Sequence, residues 1–301
     1  MLEEPLSLNQ LPNFYNNEVG LAVLGYPIKH SISPELHAAA LKELSEKEPI
    51  FRKWKYQKIE VLPNRLAEAL PLLSDSGYRG LNLTIPHKVE VLPLLDCIDD
   101  QAKVMGAVNT LSWENQGWKG YNTDGAGLSG DIYNAFGKRL KDFNVLVLGA
   151  GGASRAAVSQ CLLEDCQNLA IYNRSIERAS HLSEILRTNG FSQEVLILDQ
   201  PINPFADTNS ELLIINATSL GLRREDPSPV DLSVFPELVY VYDMVYNPPM
   251  TKLLKQAKEK KIPFSNGLGM LVGQAARSLE IWTGRDISEN AMRQGAKLAL
   301  T

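Results

Sequence analysis

A lysine, an amide and a hydroxyl occur where a strand is predicted to end. The segment LNLTIPHK, residues 81–88, alternates apolar and polar residues, and its polar face carries Asn82 and Thr84. Lys88 follows in what the spacing predicts to be the first turn of a helix over 87–104, the end at which a helix disfavours a cation. A polar face at the end of a strand, next to a lysine, predicts the wall of a pocket.

Asp124 is the candidate partner of Lys88. It lies in GYNTDGAGL, residues 120–128, directly before a predicted helix over 125–137, where an aspartate is also a common N-cap. A carboxylate beside the lysine can hold and polarise the ammonium. As a single feature, an aspartate in this position is more often an N-cap than a functional carboxylate, and both interpretations stay open at this point.

Further polar side chains stand in segments that are otherwise apolar. Ser33 precedes Pro34, so it is either a helix N-cap or, together with Ser31, a contact for a hydroxylated or carboxylate ligand. Asn109 lies in the predicted strand of GAVNTL, where its amide must find hydrogen-bond partners. The remaining candidates are Tyr246, at the end of a predicted strand, and Gln274, in an amphipathic helix.

The sequence NVLVLGAGGASRAAV, residues 144–158, reads as an apolar strand, a glycine turn and a helix of small residues. Gly149 permits the tight turn, and Gly151 lets a pyrophosphate approach the backbone at the helix N-terminus. Ser154 stands where the fingerprint has its third Gly or Ala, a small departure. Thr218, which follows a later buried strand, either contacts the cofactor or caps a turn.

The end of the next strand indicates which dinucleotide binds. No acidic residue follows strand 168–173 to accept the ribose 2′-hydroxyl of NAD. Asn173, Arg174 and Ser175 stand there instead, and Arg178 follows one helical turn after Arg174. Because two guanidinium groups suit a 2′-phosphate, the predicted cofactor is NADP.

Strand and helix patterns alternate along the chain, which predicts parallel sheets covered by helices. Strands are predicted over 20–25, 53–59, 80–85, 107–113, 144–149, 168–173, 194–198, 211–217 and 239–245. Helices are predicted over 34–46, 63–75, 87–104, 125–137, 153–165, 175–189, 250–260 and 268–282, with a last one from about 287. The predicted fold class is α/β with two domains. Residues 1–124, completed by the C-terminal helices of 268–301, form a substrate-binding α/β domain, and residues 125–267 form a Rossmann-type, doubly wound NADP-binding domain.

Composition narrows the function classes. The 301 residues, 44% hydrophobic and 22% charged, suffice for about two domains. A net charge of -5 argues against a nucleic-acid or anionic-membrane partner. No apolar run approaches about 18 residues and no basic leader is evident, so we expect no membrane span and no signal peptide. The spacing of Cys97, Cys161 and Cys166 suits neither a zinc site nor a disulfide framework, and a reducing cytoplasm fits.

These motifs occur together and in one order, and the chain closely resembles the shikimate dehydrogenase family from about Gly20 to Gly284. The resemblance is carried by residues 31–34, 82–88, 106–110, 122–125, 149–153, 173–175, 216–219, 242–246 and 267–274. It implies reversible, NADPH-dependent reduction of 3-dehydroshikimate to shikimate, a step of aromatic amino-acid biosynthesis. In that reaction we expect Lys88 to act as the proton donor and acceptor, with Asp124 as its orienting partner.

The resemblance also implies which residues form the sites. Implied substrate contacts are Ser31, Ser33, Asn82, Thr84, Lys88, Asn109, Asp124, Tyr246 and Gln274. Implied NADP contacts are Gly149, Ala150, Gly151, Gly152, Ala153, Asn173, Arg174, Ser175, Arg178, Thr218, Met244 and Gly267. Asp100 stands where the family has a carboxylate that can approach the nicotinamide, and Ser175 stands where the family has a threonine. We expect a monomer or homodimer that binds a small-molecule substrate, and no metal.

Three alternatives stay in view. A dual quinate/shikimate dehydrogenase is disfavoured because family members that prefer quinate tend to carry Thr at the Ser33 position and to use NAD. A non-catalytic ligand-sensing module would be expected to lack Lys88 or Asp124. A folate-linked dehydrogenase of related architecture is disfavoured by the Ser-x-Ser and Asn-Thr-Asp-Gly elements.

Overall fold

A computed structural model describes residues 4–206, 208, 210–235 and 239–300. The chain divides into two compact units, one within Met1–Thr123 and Val272–Thr301 and the other spanning Asp124–Leu271. Each unit contains a six-stranded sheet with helices packed on it. The α/β fold class predicted from the sequence is confirmed.

The sheet of the first unit is mixed. Its strands are β1 (Val19–Gly25), β2 (Trp54–Glu60), β3 (Tyr78–Leu83), β4 (Cys97–Ile98), β5 (Thr110–Glu114) and β6 (Gly117–Tyr121), and its helices are α1 (Ser33–Lys47), α2 (Leu66–Asp75), α3 (His87–Glu90), α4 (Asp100–Met105) and α10 (Glu289–Leu300). The strand order is β2-β1-β3-β5-β6-β4. β1 runs parallel to β2 and β3, whereas β5 runs antiparallel to β3 and β6. β3 therefore occupies a central position in the sheet.

Alternation along β3 separates a core face from a polar face. Leu81 and Leu83 are buried with Leu70 and Leu73 of α2 in one apolar cluster. Asn82, between the two leucines, points to the opposite face, and there it is buried as well. A polar side chain in that position has to find hydrogen-bond partners within the unit.

The predicted long helix over 87–104 is wrong. The chain instead forms the single turn α3, a 3₁₀ turn over Leu92–Leu94, the short strand β4 and then α4. Pro93 lacks a backbone N–H, so it cannot continue an α-helical hydrogen-bond ladder, and Asp99 caps the new helix by accepting from the Gln101 N–H at 3.0 Å. The helix-like spacing of apolar residues in this segment therefore comes from several short elements that each pack separately.

Three strands were missing from the prediction: β4, β6 and, in the second unit, β12. β6 pairs with β5 through a two-residue turn in which Asn115 and Gln116 have φ of 48° and 65°. Such turns usually carry Asn-Gly, because both central residues need positive φ. Gln116 stands where the usual glycine would mark the turn. β4 and β12 are too short to show the two-residue alternation of a strand.

The second unit is a doubly wound parallel sheet. Its strands are β7 (Asn144–Leu148), β8 (Asn168–Tyr172), β9 (Leu196–Leu198), β10 (Leu212–Asn216), β11 (Val239–Asp243) and β12 (Phe264–Asn266), and its helices are α5 (Asp124–Phe136), α6 (Gly152–Leu163), α7 (Ile176–Thr188) and α8 (Lys252–Glu259). The order β12-β11-β10-β7-β8-β9 is the Rossmann order, with its reversal between β7 and β10. Helix α9 (Leu268–Thr283) contains the division between the two units.

Both faces of this sheet are covered by apolar clusters. Val145 and Val147 of β7 pack with helices on one face, and Leu146 and Leu148 pack on the other. The continuous apolar run of β7 follows from this double burial. Loops at the carboxyl ends of β7 and β10 therefore border the crevice in which such sheets bind ligands.

Candidate active site

The side-chain amide of Asn82 is hydrogen-bonded at both its oxygen and its nitrogen within the first unit. Its Oδ1 accepts from the Tyr56 hydroxyl at 2.7 Å. Its Nδ2 donates to Thr110 Oγ1 at 3.1 Å and to Ser278 Oγ at 2.9 Å. A buried amide with acceptor and donor both engaged has one orientation, so this predicted substrate contact is rigidly placed.

Asn109 belongs to the same network. Its Oδ1 accepts from the Thr123 N–H at 2.8 Å and from Thr110 Oγ1 at 2.9 Å, and its Nδ2 donates to Thr123 Oγ1 at 2.9 Å. Gln274 Oε1 accepts from Asn109 Nδ2 at 3.3 Å. The first unit thus brings together Asn82, Asn109 and Gln274, three of the predicted contacts, which lie far apart in the sequence.

Sequence reasoning missed the residues that hold this network. Tyr56, Thr110, Thr123 and Ser278 are buried and contact the predicted residues directly. Ser278 carries the one available signal, because it lies one helical turn after Gln274 on the same face of α9.

Ser33 is not an N-cap. α1 begins at Ser33 itself, Ile32 holds the cap position, and no side chain makes a capping hydrogen bond there. The Ser33 N–H donates to Ser31 Oγ at 3.3 Å, and the Ser31 hydroxyl donates to Ser33 Oγ at 3.2 Å. The two hydroxyls therefore lie side by side, and the capping interpretation is replaced by a paired-hydroxyl feature.

The His37 and Tyr56 rings pack against each other next to Ser33. Their rings stack with centroids 3.8 Å apart, and His37 Nδ1 lies 2.8 Å from the Ser33 carbonyl oxygen. Burial lowers the pKa of His37 to about 4, although the carbonyl groups of Ser33 and Ala275 oppose this shift. Burial also raises the pKa of Tyr56 well above its ordinary value, while a hydrogen bond with Ser33 acts in the opposite direction.

Thr84 and Lys88 follow β3 in a tight connection. The strand ends at Leu83 rather than at residue 85, and Ile85 is 73% exposed, so the apolar alternation stops earlier than predicted. Lys88 is half-buried in α3, which has a single turn and therefore no substantial macrodipole. The unfavourable helix position expected for Lys88 is thus largely absent.

Asp124 and Asp100 differ in their surroundings. Asp124 is the first residue of α5 and of the second unit, and it is buried. Asp100 lies in the first turn of α4, where its exposed carboxylate accepts from Lys103 Nζ at 3.2 Å. Asp124 is therefore enclosed, whereas Asp100 forms a surface ion pair, and the functional role of each carboxylate stays a prediction.

The glycine turn after β7 has the geometry of a dinucleotide site. Gly149 has φ of 112°, a conformation that favours glycine, and its N–H donates to the Tyr172 carbonyl at 2.8 Å. Apart from its chain neighbours and the backbone of α6 itself, a Cβ added at Gly151 or Gly152 would meet no atom within 4 Å, so the backbone at the start of α6 is open. The predicted segment 149–153 therefore fits a pyrophosphate at a helix N-terminus.

Ser154, which replaces the Gly or Ala of the fingerprint, uses its hydroxyl for hydrogen bonds within the turn. It is buried, its Oγ accepts from the Gly151 N–H at 3.3 Å, and it donates to the Ala217 carbonyl at 3.4 Å. A Cβ at Gly149 would lie 2.9 Å from this oxygen. The small side chain thus joins the glycine turn to the end of β10.

The segment after β8 presents two exposed guanidinium groups. Asn173 Nδ2 donates to the Ser175 carbonyl at 2.8 Å, and Ser175 caps α7 by accepting from the Arg178 N–H at 3.4 Å. Arg174 and Arg178 are both exposed. The turn is fixed by Asn173 and Ser175, which leaves the two arginines accessible to an anion.

Thr218 serves a turn after β10. Its hydroxyl donates to Asn216 Oδ1 at 2.7 Å and accepts from the Leu220 N–H at 3.1 Å. Asn216 Nδ2 in turn donates to Asp243 Oδ1 at 2.9 Å. Thr218 therefore caps this turn, and its role as a cofactor contact stays a prediction.

Met244 and Gly267 lie in contact beyond β11. A Cβ added at Gly267 would be 2.2 Å from the Met244 carbonyl oxygen, so only glycine permits this approach.

Tyr246 follows in a half-buried position, where burial raises the pKa of its hydroxyl. Asp131 accepts from the Tyr242 hydroxyl at 2.7 Å, and a Cβ at Gly269 would collide with the Asp131 carboxylate.

Two classes of feature are not found in the part of the chain that the structure describes. No group of three or more His, Cys, Asp or Glu side chains is arranged to hold a metal ion. No helix there is long and apolar enough to cross a membrane.

The fold and the glycine turn define a two-unit α/β protein of the nucleotide-dependent dehydrogenase class. Three family models match the chain: a shikimate dehydrogenase substrate binding domain over 23–111, shikimate / quinate 5-dehydrogenase over 132–219, and a shikimate 5'-dehydrogenase C-terminal domain over 267–296.

Curated relatives and a solved structure agree with these models. The shikimate dehydrogenase (NADP(+)) of Citrifermentans bemidjiense is 37% identical over 93% of this chain and 94% of its own length. That of Methanococcus aeolicus is 38% identical over 91% and 95%. The crystal structure of the Thermus thermophilus shikimate 5-dehydrogenase in complex with NADP(H) and shikimate is 33% identical, covers 94% of this chain and 100% of its own, and superposes with a TM-score of 0.80. The chain belongs to the shikimate dehydrogenase family, as the sequence motifs predicted.

Proposed function

We propose that this protein is an NADP-dependent oxidoreductase that interconverts 3-dehydroshikimate and shikimate. The observation that carries the proposal is the similarity to relatives named shikimate dehydrogenase (NADP(+)) over more than nine-tenths of the chain. The paired hydroxyls and locked amides of the first unit suit a ligand with several hydroxyl groups. The open glycine turn and exposed arginine pair of the second unit suit a phosphorylated dinucleotide.

We propose the residue roles that the family resemblance implies. Substrate contacts are assigned to Ser31, Ser33, Asn82, Thr84, Lys88, Asn109, Asp124, Tyr246 and Gln274. NADP contacts are assigned to 149–153, Asn173, Arg174, Ser175, Arg178, Thr218, Met244 and Gly267, with Asp100 as a further candidate. Residues 1–124 with 268–301 then form the substrate domain, and 125–267 form the cofactor domain.

Reduction of a ketone to an alcohol requires a proton at the oxygen. NADPH, when bound, supplies the hydride for the carbonyl carbon. Lys88 donates a proton from its ammonium to the oxygen as negative charge develops there, and Asp124 holds and polarises that ammonium. In the reverse direction Lys88 accepts the hydroxyl proton.

Replacing the lysine tests this assignment. Lys88→Ala should lower kcat about 10²- to 10⁴-fold, the usual contribution of a positioned general acid, with the dissociation constant for NADPH within about twofold of wild type. Stopped-flow turnover and fluorescence titration measure the two quantities. Lys42→Ala removes an exposed lysine on α1 and should change neither. An unaltered kcat in Lys88→Ala would remove Lys88 from the mechanism.

The runner-up function is a dual quinate/shikimate dehydrogenase, and it is less well supported. The curated relatives reported above are named for shikimate and NADP(+). Initial rates with shikimate and with quinate, each with NADP and with NAD, separate the two: shikimate with NADP should dominate, and equal turnover of quinate with NAD would favour the alternative.

The cellular setting follows from composition. The net charge of -5 disfavours a nucleic-acid partner, and the cysteines suit a reducing compartment. We propose a cytoplasmic location on these grounds, and separately we propose a monomer or homodimer.

A further inference from the structure

Lys58 is a buried lysine that the roles above do not use. Its side chain lies on the same face of β2 as Tyr56, and the residue is 3% exposed. Its Nζ donates to the carbonyl oxygens of Lys29 and Ser31, both at 3.1 Å. The ammonium is therefore hydrogen-bonded to the backbone of the loop that carries Ser31 and leads to Ser33.

This ammonium has no counter-charge in the described part of the chain. No carboxylate oxygen there lies within 4.0 Å of Lys58 Nζ. By contrast, the exposed Lys29 pairs with Glu4 at 2.7 Å on the surface of the same loop. The exposed Lys29 is thus paired with a carboxylate, whereas the buried Lys58 donates its hydrogen bonds to the carbonyl groups of the loop.

A buried, uncompensated charge is costly. Proteins bury charges mainly when an opposite charge and hydrogen bonds compensate the lost hydration, and an apolar side chain of similar volume fills the same space without that cost. Two carbonyl groups stabilise the ammonium of Lys58 but do not neutralise it. An anionic ligand at the paired hydroxyls of Ser31 and Ser33 would supply the missing charge.

We propose that Lys58 is the fixed positive charge of a carboxylate-binding subsite at the Ser31–Ser33 loop. The inference rests on the proposed function, since shikimate and 3-dehydroshikimate each carry one carboxylate. Ser31 and Ser33 donate hydroxyl hydrogen bonds to the anion, and Lys58 acts on it through the loop, where low polarisability lets a charge act over several ångströms. Lys58 is then a specificity residue that selects an anionic ligand over a neutral one of the same shape.

The test compares shikimate with its methyl ester, which keeps the ring and hydroxyls and lacks the charge. We measure kcat/KM for both with NADP, and calorimetric binding of both, in the wild type and in Lys58→Met. The variant should lose about ten- to a hundredfold toward the acid, the usual effect of removing a partner of a charged group, and less than about threefold toward the ester. The acid-to-ester ratio should fall accordingly.

Two further variants secure the result. Lys55→Met removes an exposed lysine from the same strand and should leave the ratio unchanged. Lys58→Gln keeps a hydrogen-bond donor for the loop carbonyls without the charge, so it tests the same point if Lys58→Met folds poorly. If Lys58→Met or Lys58→Gln lowered kcat/KM equally for the acid and the ester, the proposal would be overturned. Lys58 would then only stabilise the loop. A wild-type protein that binds both compounds but does not oxidise shikimate would refute the proposed function instead, and the binding ratio would still test the charge.

Discussion

The proposed substrate contacts of the first unit and the proposed cofactor contacts of the second differ in how the protein holds them. Asn82 and Asn109 are buried and hydrogen-bonded to other side chains, so the core of the unit fixes their positions. Gly151 and Gly152 offer open backbone, and Arg174 extends into solvent. Shape recognition of a small polyhydroxyl ligand calls for fixed side chains, whereas a dinucleotide phosphate can be held by main-chain N–H groups and mobile cations.

This difference has a consequence for mutagenesis. A substrate residue that belongs to the core should affect folding and binding together, because its removal leaves buried partners unsatisfied. A cofactor residue on the surface should affect affinity alone. Substitutions in the two units can therefore contradict the comparison or sharpen it.

The largest effect is expected at Asn109. Asn109→Ala removes the acceptor of the Thr123 N–H and one hydrogen-bond partner from each of the Thr110 and Thr123 hydroxyls, so the free energy of unfolding should fall by about 4 kcal/mol. Urea denaturation followed by tryptophan fluorescence measures this change. Asn64→Ala, at an exposed asparagine of the same unit, should stay within about 0.5 kcal/mol of wild type. Equal stability of the two variants would mean that the network does not hold the unit together.

The next effect concerns His37, whose neutral ring supports Tyr56 and the Ser33 backbone. Burial holds its pKa at about 4 in the folded chain, against about 6.5 when unfolded, so the unfolded state binds the proton first. The stability linked to His37 is complete above about pH 6.5 and is lost as the pH falls towards about 4, by about 3 kcal/mol in all. Urea midpoints measured from pH 7 to pH 4 should show this loss.

Two variants isolate the contribution of His37. His37→Phe keeps an aromatic ring against Tyr56 but cannot bind a proton, so its midpoints should fall less steeply below pH 6.5. His30→Phe alters an exposed histidine and should follow the wild-type curve. Parallel curves for wild type and His37→Phe would show that His37 is not responsible for the acid sensitivity.

What the sequence reveals also differs between the two units. The second unit was predictable in outline because its strands are apolar runs buried on both faces and its glycine turn has a fixed spacing. In the first unit, Asn82 and Gln274 were recognisable as polar residues in apolar settings. The contacts of Asn82 with Tyr56 and Ser278 were not recognisable, because a contact between residues so distant in sequence depends on the finished fold. The predicted helix over 87–104 failed for the opposite reason, since local apolar spacing there concealed the break at Pro93.

The smallest effect is expected at the arginine pair of the second unit. Replacing Arg174 and Arg178 together by alanine should raise KM for NADP about thirtyfold, because two charge-assisted contacts to a phosphate are lost, and should leave KM for NAD nearly unchanged. The free energy of unfolding should stay within about 0.5 kcal/mol, since both side chains are exposed. Arg187→Ala, at an exposed arginine near the end of α7, should change neither KM. A loss of stability in the double variant, or an equal loss of affinity for both dinucleotides, would contradict the view that this unit recognises the phosphate with surface charge alone.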